Sequence, residues 1–157
     1  MTRSARQTEA EAGLPADTDL TGYIGYNIKR VLSLVQSDLA QVLGALELRA
    51  VSFSALSIVV RNPGINQTQL AEALKIERSN LVQLIDELSN RALLARTPVA
   101  GDRRRYALMP TSAGKALCAK AEAAVAEHEA RVFSMLDDGE RSTLLALLRK
   151  IRTEWPA

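Results

Sequence analysis

Apolar residues recur every three or four positions along the chain from Leu20 onward. Between Ile24 and Leu46 this spacing places an apolar stripe along one long amphipathic helix. The segment FSALSIVVRNPG predicts a second, shorter helix. We expect this helix to stop at Asn62, because the residue before a proline avoids the helical conformation.

Two short helices are predicted next, in the segments NQTQLAEALKI and RSNLVQLIDELSNRALL. Asn66 is a good N-cap for the first of them, and Gln69 completes a capping box. Ser79 is the predicted cap of the second, whose apolar positions Leu81, Leu84, Ile85 and Leu88 form a buried face. Because only KIER separates the two helices, the pattern indicates a helix-turn-helix.

The periodicity changes after Arg91. The segments LLARTPV and RRYALMP have strand character and flank AGD, which predicts a β-hairpin. Thr111 then caps a long alanine-rich helix, and Asp137 forms a capping box with Glu140 at the start of the last helix. The sequence therefore predicts a mostly α protein with one hairpin.

Composition adds the location of the positive charge. The chain has 157 residues, which favours a single domain, and its net charge of +2 does not by itself reveal a partner. Residues 66–115 carry eight basic and five acidic side chains, a net of +3, whereas residues 1–19 carry two basic and four acidic ones, a net of −2. The positive charge is central and densest at Arg103, Arg104 and Arg105. We interpret residues 1–18 as a flexible arm.

Several classes of protein are disfavoured. One cysteine rules out an internal disulfide framework, and we see neither a secretory signal nor an apolar run long enough to span a membrane. We therefore expect a soluble cytoplasmic protein. With one histidine, one cysteine, no glycine-rich phosphate loop and no metal-ligand cluster, we expect no enzyme, no cofactor and no metal site. His128 is expected on a solvated helix face.

The polar face of the second short helix offers groups that suit DNA. Asn and Gln side chains can bond adenine, Ser can bond a base or a phosphate, and a helix N-terminus favours a phosphate. The alternative is an ordinary solvated helix face, which the carboxylates of Asp86 and Glu87 favour because they repel phosphates. The candidate contacts on this helix are Arg78, Ser79, Asn80 and Gln83.

The hairpin tip offers a second candidate contact. An arginine-tipped ribbon can reach the minor groove, where the negative potential of DNA is strong. Asp102 can fix the rotamer of a neighbouring arginine through a charge-assisted hydrogen bond. We therefore predict that the tip arginines, Arg103, Arg104 and Arg105, contact DNA and that Asp102 orients one of them. The alternative is a mobile, solvated turn.

Together, the helix-turn-helix and the segment DRRRYALMPTSAGKAL resemble the MarR family of winged-helix transcriptional regulators. Asp102, Arg104 and Thr111 stand at positions of that family's wing motif, and the resemblance covers residues 20–154. It implies that Arg104 enters the minor groove with Asp102 as its orienting partner, and that Arg103 and Arg105 contact phosphates or remain solvated. Pro110 departs from the leucine of the motif, so the second wing strand is expected to end early. Two glycine positions of the family hold Lys75 and Ala92 here, which costs roughly 1 kcal/mol each if the left-handed conformation is kept.

The resemblance implies a winged helix-turn-helix lobe at residues 50–112 with a two-stranded wing. It also implies a helical dimerisation region formed by residues 19–49 and 113–155. The implied protein is a homodimer that binds a palindromic operator in double-stranded DNA, and the apolar positions of the last helices independently favour a dimer. We expect a repressor that a small aromatic or phenolic acid or thioester releases from DNA.

The expected effector site lies on the first two helices, whose aromatic residues could equally form the dimer core. Its candidate residues are Tyr23, Tyr26, Asn27, Arg30, Phe53 and Ser57. Two alternatives stay open: a redox-responsive regulator acting through Cys118, which we otherwise expect to be buried, and a winged-helix protein-interaction module that does not bind DNA.

Overall fold

The computed structural model describes residues 20–99 and 102–155, apart from the side chains of residues 99 and 102–105. The predicted arm, residues 1–18, lies outside this described part. The chain divides after Gln36 into two compact units. The elements, in chain order, are α1 (Ile24–Gly44), α2 (Ala50–Arg61), β1 (Ile65–Asn66), α3 (Gln67–Leu74), α4 (Arg78–Asn90), β2 (Leu94–Val99), β3 (Asp102–Pro110), α5 (Ser112–Val132) and α6 (Asp138–Thr153).

The first unit contains the beginning of α1. The Asn27 side-chain amide donates hydrogen bonds to the carbonyl oxygens of Thr21, at 2.7 Å, and Tyr23, at 2.9 Å. Both bonds anchor the turn that leads into the helix. One turn further on, Arg30 Nη1 donates to the Tyr26 hydroxyl at 3.3 Å.

The second unit contains the main hydrophobic core, which lies beneath the helix-turn-helix. One side of α4 is fully sequestered, as its apolar spacing predicted, and it packs with residues of α2, α3, the sheet and α5. The buried core residues are Ala55, Leu56, Val59, Leu70, Leu81, Leu84, Ile85, Leu88, Leu93, Leu94, Leu108 and Cys118. Burial of this many aliphatic side chains fixes the position of α4 in the lobe.

The sheet has three antiparallel strands in the order β1-β3-β2. The predicted hairpin is confirmed, with Thr97 opposite Ala107 and an irregularity in register between Pro98 and Val99. The third strand, β1, was not predicted, because two residues are too few to show an alternating pattern.

Pro110 does not shorten the wing strand, so that prediction was wrong. It pairs with Leu94 as the last residue of β3. On the other side of β3, the short β1 reaches only Ala107 and Leu108, so no strand there requires the hydrogen-bond donor that proline lacks.

Three predicted helix caps are confirmed and one is wrong. Asn66 and Asp137 form complete capping boxes, and Thr111 Oγ1 accepts from the Gly114 amide. Ser79 is not a cap, because the backbone is already helical at Arg78. Glu77, with an extended backbone, is the N-cap residue of α4, and its side chain makes no capping bond.

The two departures from family glycines keep the left-handed backbone. Lys75 has φ 53° and ends α3, and Ala92 has φ 55° just after α4. Each conformation costs roughly 1 kcal/mol for a residue with a Cβ atom. The left-handed turns that end α3 and follow α4 therefore form here without glycine.

Gly114 allows α5 to start directly against the lobe. A Cβ atom at this position would collide with the Leu93 carbonyl oxygen. Close by, the Thr111 hydroxyl lies 2.7 Å from the Ala92 carbonyl oxygen and 3.2 Å from that of Leu93. These contacts join the end of the wing to the long helix.

His128 is buried, contrary to the expectation of a solvated face. Only 2% of it is exposed, and its Nε2 atom lies 3.1 Å from Asp38 Oδ2, an oxygen that accepts a hydrogen bond from Arg131 Nη2 at 2.7 Å. The physical reason is helical spacing. His128 continues the inward face defined by Cys118 and Ala121, and its glutamate neighbours lie beside that face.

Candidate nucleic-acid interface and effector cavity

The first turn of α4 presents a polar, solvent-exposed surface. Arg78, Ser79, Asn80 and Gln83 are all exposed, while the opposite face of the helix is buried in the core. Because the Glu77 side chain makes no capping bond, the first amide groups of α4 donate no hydrogen bond to that side chain. Such amides, with the helix dipole, favour a phosphate.

The two carboxylates of α4 are both paired with arginines of the lobe. Asp86 forms an ion pair with Arg96 of β2, and Glu87 forms one with Arg49, which precedes α2. Ser52 also donates to Glu87, at 3.2 Å. The acidic residues that argued against DNA binding therefore have local cationic partners, and their pairs link α4 to the wing on one side and to α2 on the other.

The wing extends from this lobe as β2 and β3. Asp102, Arg103, Arg104 and Arg105 all lie at the start of β3, where Asp102 is paired with Val99 across the turn. Their side chains fall outside the described part of the chain, so the predicted contact between Asp102 and Arg104 stays a prediction.

A cavity of about 640 Å³ lies between α2, α5 and α6. This volume is in the range of small-molecule sites. Its walls are mostly apolar, with four charged side chains. The lining residues are Phe53, Arg61, Glu122, Val125, Ala126, Glu129, Ala130, Phe133, Leu136, Arg141, Leu144, Leu145 and Leu148.

A hydrogen-bonded cluster forms one wall of this cavity. Arg61 Nη2 lies 2.8 Å from Glu122 Oε1, and Arg61 Nη1 donates to the Ser57 hydroxyl. The same Glu122 oxygen accepts from Ser57 Oγ at 3.3 Å and from Cys118 Sγ at 3.6 Å. Burial, followed by the nearby Glu122 carboxylate, raises the pKa of the Cys118 thiol. A protonated, buried thiol is a poor nucleophile.

The predicted effector residues are divided between the two units. Tyr23, Tyr26, Asn27 and Arg30 lie on or just before the first turns of α1, in the first unit. In the second unit, Phe53 lines the cavity and Ser57 bonds to two lining residues. Sequence reasoning missed Arg61 and Glu122. The available signal was their spacing, since Ser57 and Arg61, like Cys118 and Glu122, are four residues apart and share a helix face.

In residues 20–99 and 102–155, as far as the structure describes them, no group of three or more His, Cys, Asp or Glu side chains is placed to hold a metal ion. No helix in that part of the chain has the length and apolar character needed to cross a membrane.

Several known proteins are similar to this chain in sequence and in fold. The MarR family model matches residues 46–105, which contain the helix-turn-helix and most of the wing. A protein of Thauera aromatica, assigned as a transcriptional regulatory protein for the hcr operon, is 30% identical over 148 residues, covering 88% of this chain and 89% of that protein.

Two solved structures resemble the whole described fold. The transcriptional repressor CouR bound to a 23-mer DNA duplex is 35% identical, with a TM-score of 0.84, covering 89% of this chain and 99% of that one. CouR bound to p-coumaroyl-CoA is 34% identical, with a TM-score of 0.80, covering 90% of this chain and 100% of that one. The exposed first turn of α4, the wing and these similarities agree, and the chain belongs to the MarR family of winged-helix transcriptional regulators.

Proposed function

We propose that this protein is a homodimeric, sequence-specific DNA-binding repressor that a small aromatic ligand releases from its operator. The observation that carries the proposal is the exposed polar first turn of α4, held on a fully packed core next to the wing. CouR, the similar repressor, has been solved on a DNA duplex, which supports the same use of this lobe.

In the proposed complex the first turn of α4 enters the major groove. Asn80 and Gln83 carry amides that can bond adenine, Ser79 can bond a base or a phosphate, and Arg78 is suited to a phosphate. Arg104 enters the adjacent minor groove with Asp102 as its orienting partner, and Arg103 and Arg105 flank it. In a two-fold dimer the two α4 helices lie roughly 34–36 Å apart, the spacing of successive major grooves.

The proposed dimer is supported by the surface of α6. This helix exposes an unusual number of leucine and isoleucine side chains for a chain that functions alone. The exposed positions are Leu144, Leu145, Leu147, Leu148 and Ile151, each at least 38% accessible. Their burial against a second copy would remove this apolar surface from water.

The effector is proposed to bind the cavity between α2, α5 and α6, whose apolar walls suit an aromatic ring. The CouR structure with p-coumaroyl-CoA supports an aromatic acid or its thioester as the ligand class. DNA selects one separation of the two lobes. A ligand that prefers another separation weakens DNA binding by the difference in its affinity for the two states.

The proposal is tested by selecting bound sequences from a random duplex library and titrating the selected duplex by fluorescence anisotropy. We expect a palindromic site, binding that weakens steeply with salt, and release by p-coumaroyl-CoA or p-coumarate. Selection of no common sequence would contradict the repressor assignment. Specific binding that no aromatic acid or thioester weakens would contradict the ligand assignment alone.

A further inference from the structure

The ion pair between Arg61 and Glu122 lies at the wall of the cavity and is open to it. The Arg61 side chain is 62% accessible and the Glu122 side chain 39%, and both residues line the cavity. An ion pair this accessible has a small net stability, so a competing anion or cation can exchange with one partner at low cost.

The two partners differ in the hydrogen-bonding capacity that remains. Glu122 Oε1 already accepts from Arg61, Ser57 and Cys118, and the latter two residues are buried beneath it. A guanidinium carries five N–H donors, and the contacts of Arg61 with Ser57 and Glu122 occupy two of its nitrogens. The hydrogen-bonding groups that remain available at this wall are therefore mainly the N–H donors of Arg61.

A second guanidinium faces the same cavity. Arg141 lies on α6, and its Nε atom donates to the Leu136 carbonyl oxygen at 3.2 Å. Glu129 is the other carboxylate of the lining, and no ion pair to it is found among the described residues. It lies two turns beyond Glu122 on α5 and provides a matched reference for the effect of one negative charge.

We propose that the effector carries an anionic group that binds Arg61, and that Glu122 is a built-in competitor that the anion displaces from this arginine. This inference rests on the proposed effector function of the cavity and specifies its charge. The aromatic body would contact Phe53 of α2 and Val125 of α5, while the anion and the Arg61 guanidinium form a charge-assisted pair. Glu122 thereby sets the affinity for the ligand, because a stronger ion pair between Glu122 and Arg61 lowers that affinity.

The test uses two fluorescent probes with the same aromatic body. Anilinonaphthalene sulfonate carries an anion and N-phenylnaphthylamine does not. Each is titrated against the full chain and its Glu122→Gln, Arg61→Gln and Glu129→Gln variants. Glu122→Gln keeps the shape of the side chain, and Glu129→Gln removes the same charge from the same helix without affecting the Arg61 pair.

For the anionic probe we expect Glu122→Gln to tighten binding several-fold and Arg61→Gln to weaken it by about tenfold, the size of one hydrogen bond to a charged group. Glu129→Gln should have a smaller effect than Glu122→Gln, and the neutral probe should change less than twofold in every variant.

Three outcomes overturn the inference: an Arg61→Gln variant that binds the anionic probe normally, equal effects of the two glutamate substitutions, or equal effects on both probes. Any of these leaves ligand binding in the cavity intact. Failure of both probes to bind the unsubstituted protein would instead contradict the proposed effector cavity itself. The proposed DNA binding is tested separately, by the anisotropy titrations.

Discussion

Cys118 is the single thiol of the chain, and its surroundings bear on the mode of regulation. It is 1% exposed, it donates to Glu122, and its pKa is raised by burial and by that carboxylate. A reactive cysteine needs the opposite conditions, an exposed position and a lowered pKa. The structure thus disfavours the redox alternative left open by the sequence.

We therefore expect Cys118 to react with iodoacetamide much more slowly in the folded protein than in denatured protein at neutral pH. The thiolate is the nucleophile, and a raised pKa decreases its population. Mass spectrometry of the alkylated chain measures the rate. Loss of DNA binding on peroxide treatment that a Cys118→Ser substitution prevents would show that the cysteine does sense oxidants.

Single residues also show which features a sequence can predict. The capping boxes at Asn66 and Asp137 were predicted correctly because each joins residues three positions apart. The burial of His128 was missed because its two glutamate neighbours suggested a polar face. The pair of Arg61 and Glu122 joins residues on two helices far apart in sequence, and only tertiary packing brings them together.

At the scale of elements, two ion pairs determine how α4 is held. Asp86 links this helix to β2 through Arg96, and Glu87 links it to the start of α2 through Arg49. The helix-turn-helix and hairpin were predictable from local periodicity and turn residues. The two links and the short strand β1 were not, since they depend on how these elements meet.

The ion pair between Asp86 and Arg96 predicts an effect on DNA affinity opposite to the one that charge repulsion alone would predict. Replacing Asp86 by Asn removes a negative charge near the proposed DNA surface, yet we expect affinity to fall about two- to fivefold, because an exposed pair contributes up to roughly 1 kcal/mol. The reason is that β2 loses its ion pair with α4. Anisotropy titrations at constant salt measure the change.

Arg96→Ala serves as the complementary variant. The double variant should bind DNA no less tightly than the single variant with the lower DNA affinity, since both substitutions break the same ion pair. A rise in affinity for Asp86→Asn would mean that charge repulsion outweighs the effect of this ion pair.

At the scale of the whole molecule, the winged lobe is accompanied by a cavity lined in part by α6, a helix whose apolar residues remain exposed in the single chain. The mostly α winged fold was correctly predicted. The cavity was not, because α2 is distant in sequence from α5 and α6, and only tertiary packing brings the three helices together. The boundaries of the dimerisation region, residues 19–49 and 113–155, stay a prediction.

The most direct test of the central claim is the affinity of an Arg104→Ala variant for the selected operator duplex, measured by anisotropy at moderate salt. We expect a loss of about tenfold or more, since a charged groove contact contributes roughly 1–3 kcal/mol. Asp102→Ala should also weaken binding, and Lys120→Ala, which removes one positive charge from the exposed side of α5, should have little effect. Sedimentation should show that each variant remains a dimer. An Arg104→Ala dimer that binds the operator as tightly as the unsubstituted protein would contradict the account.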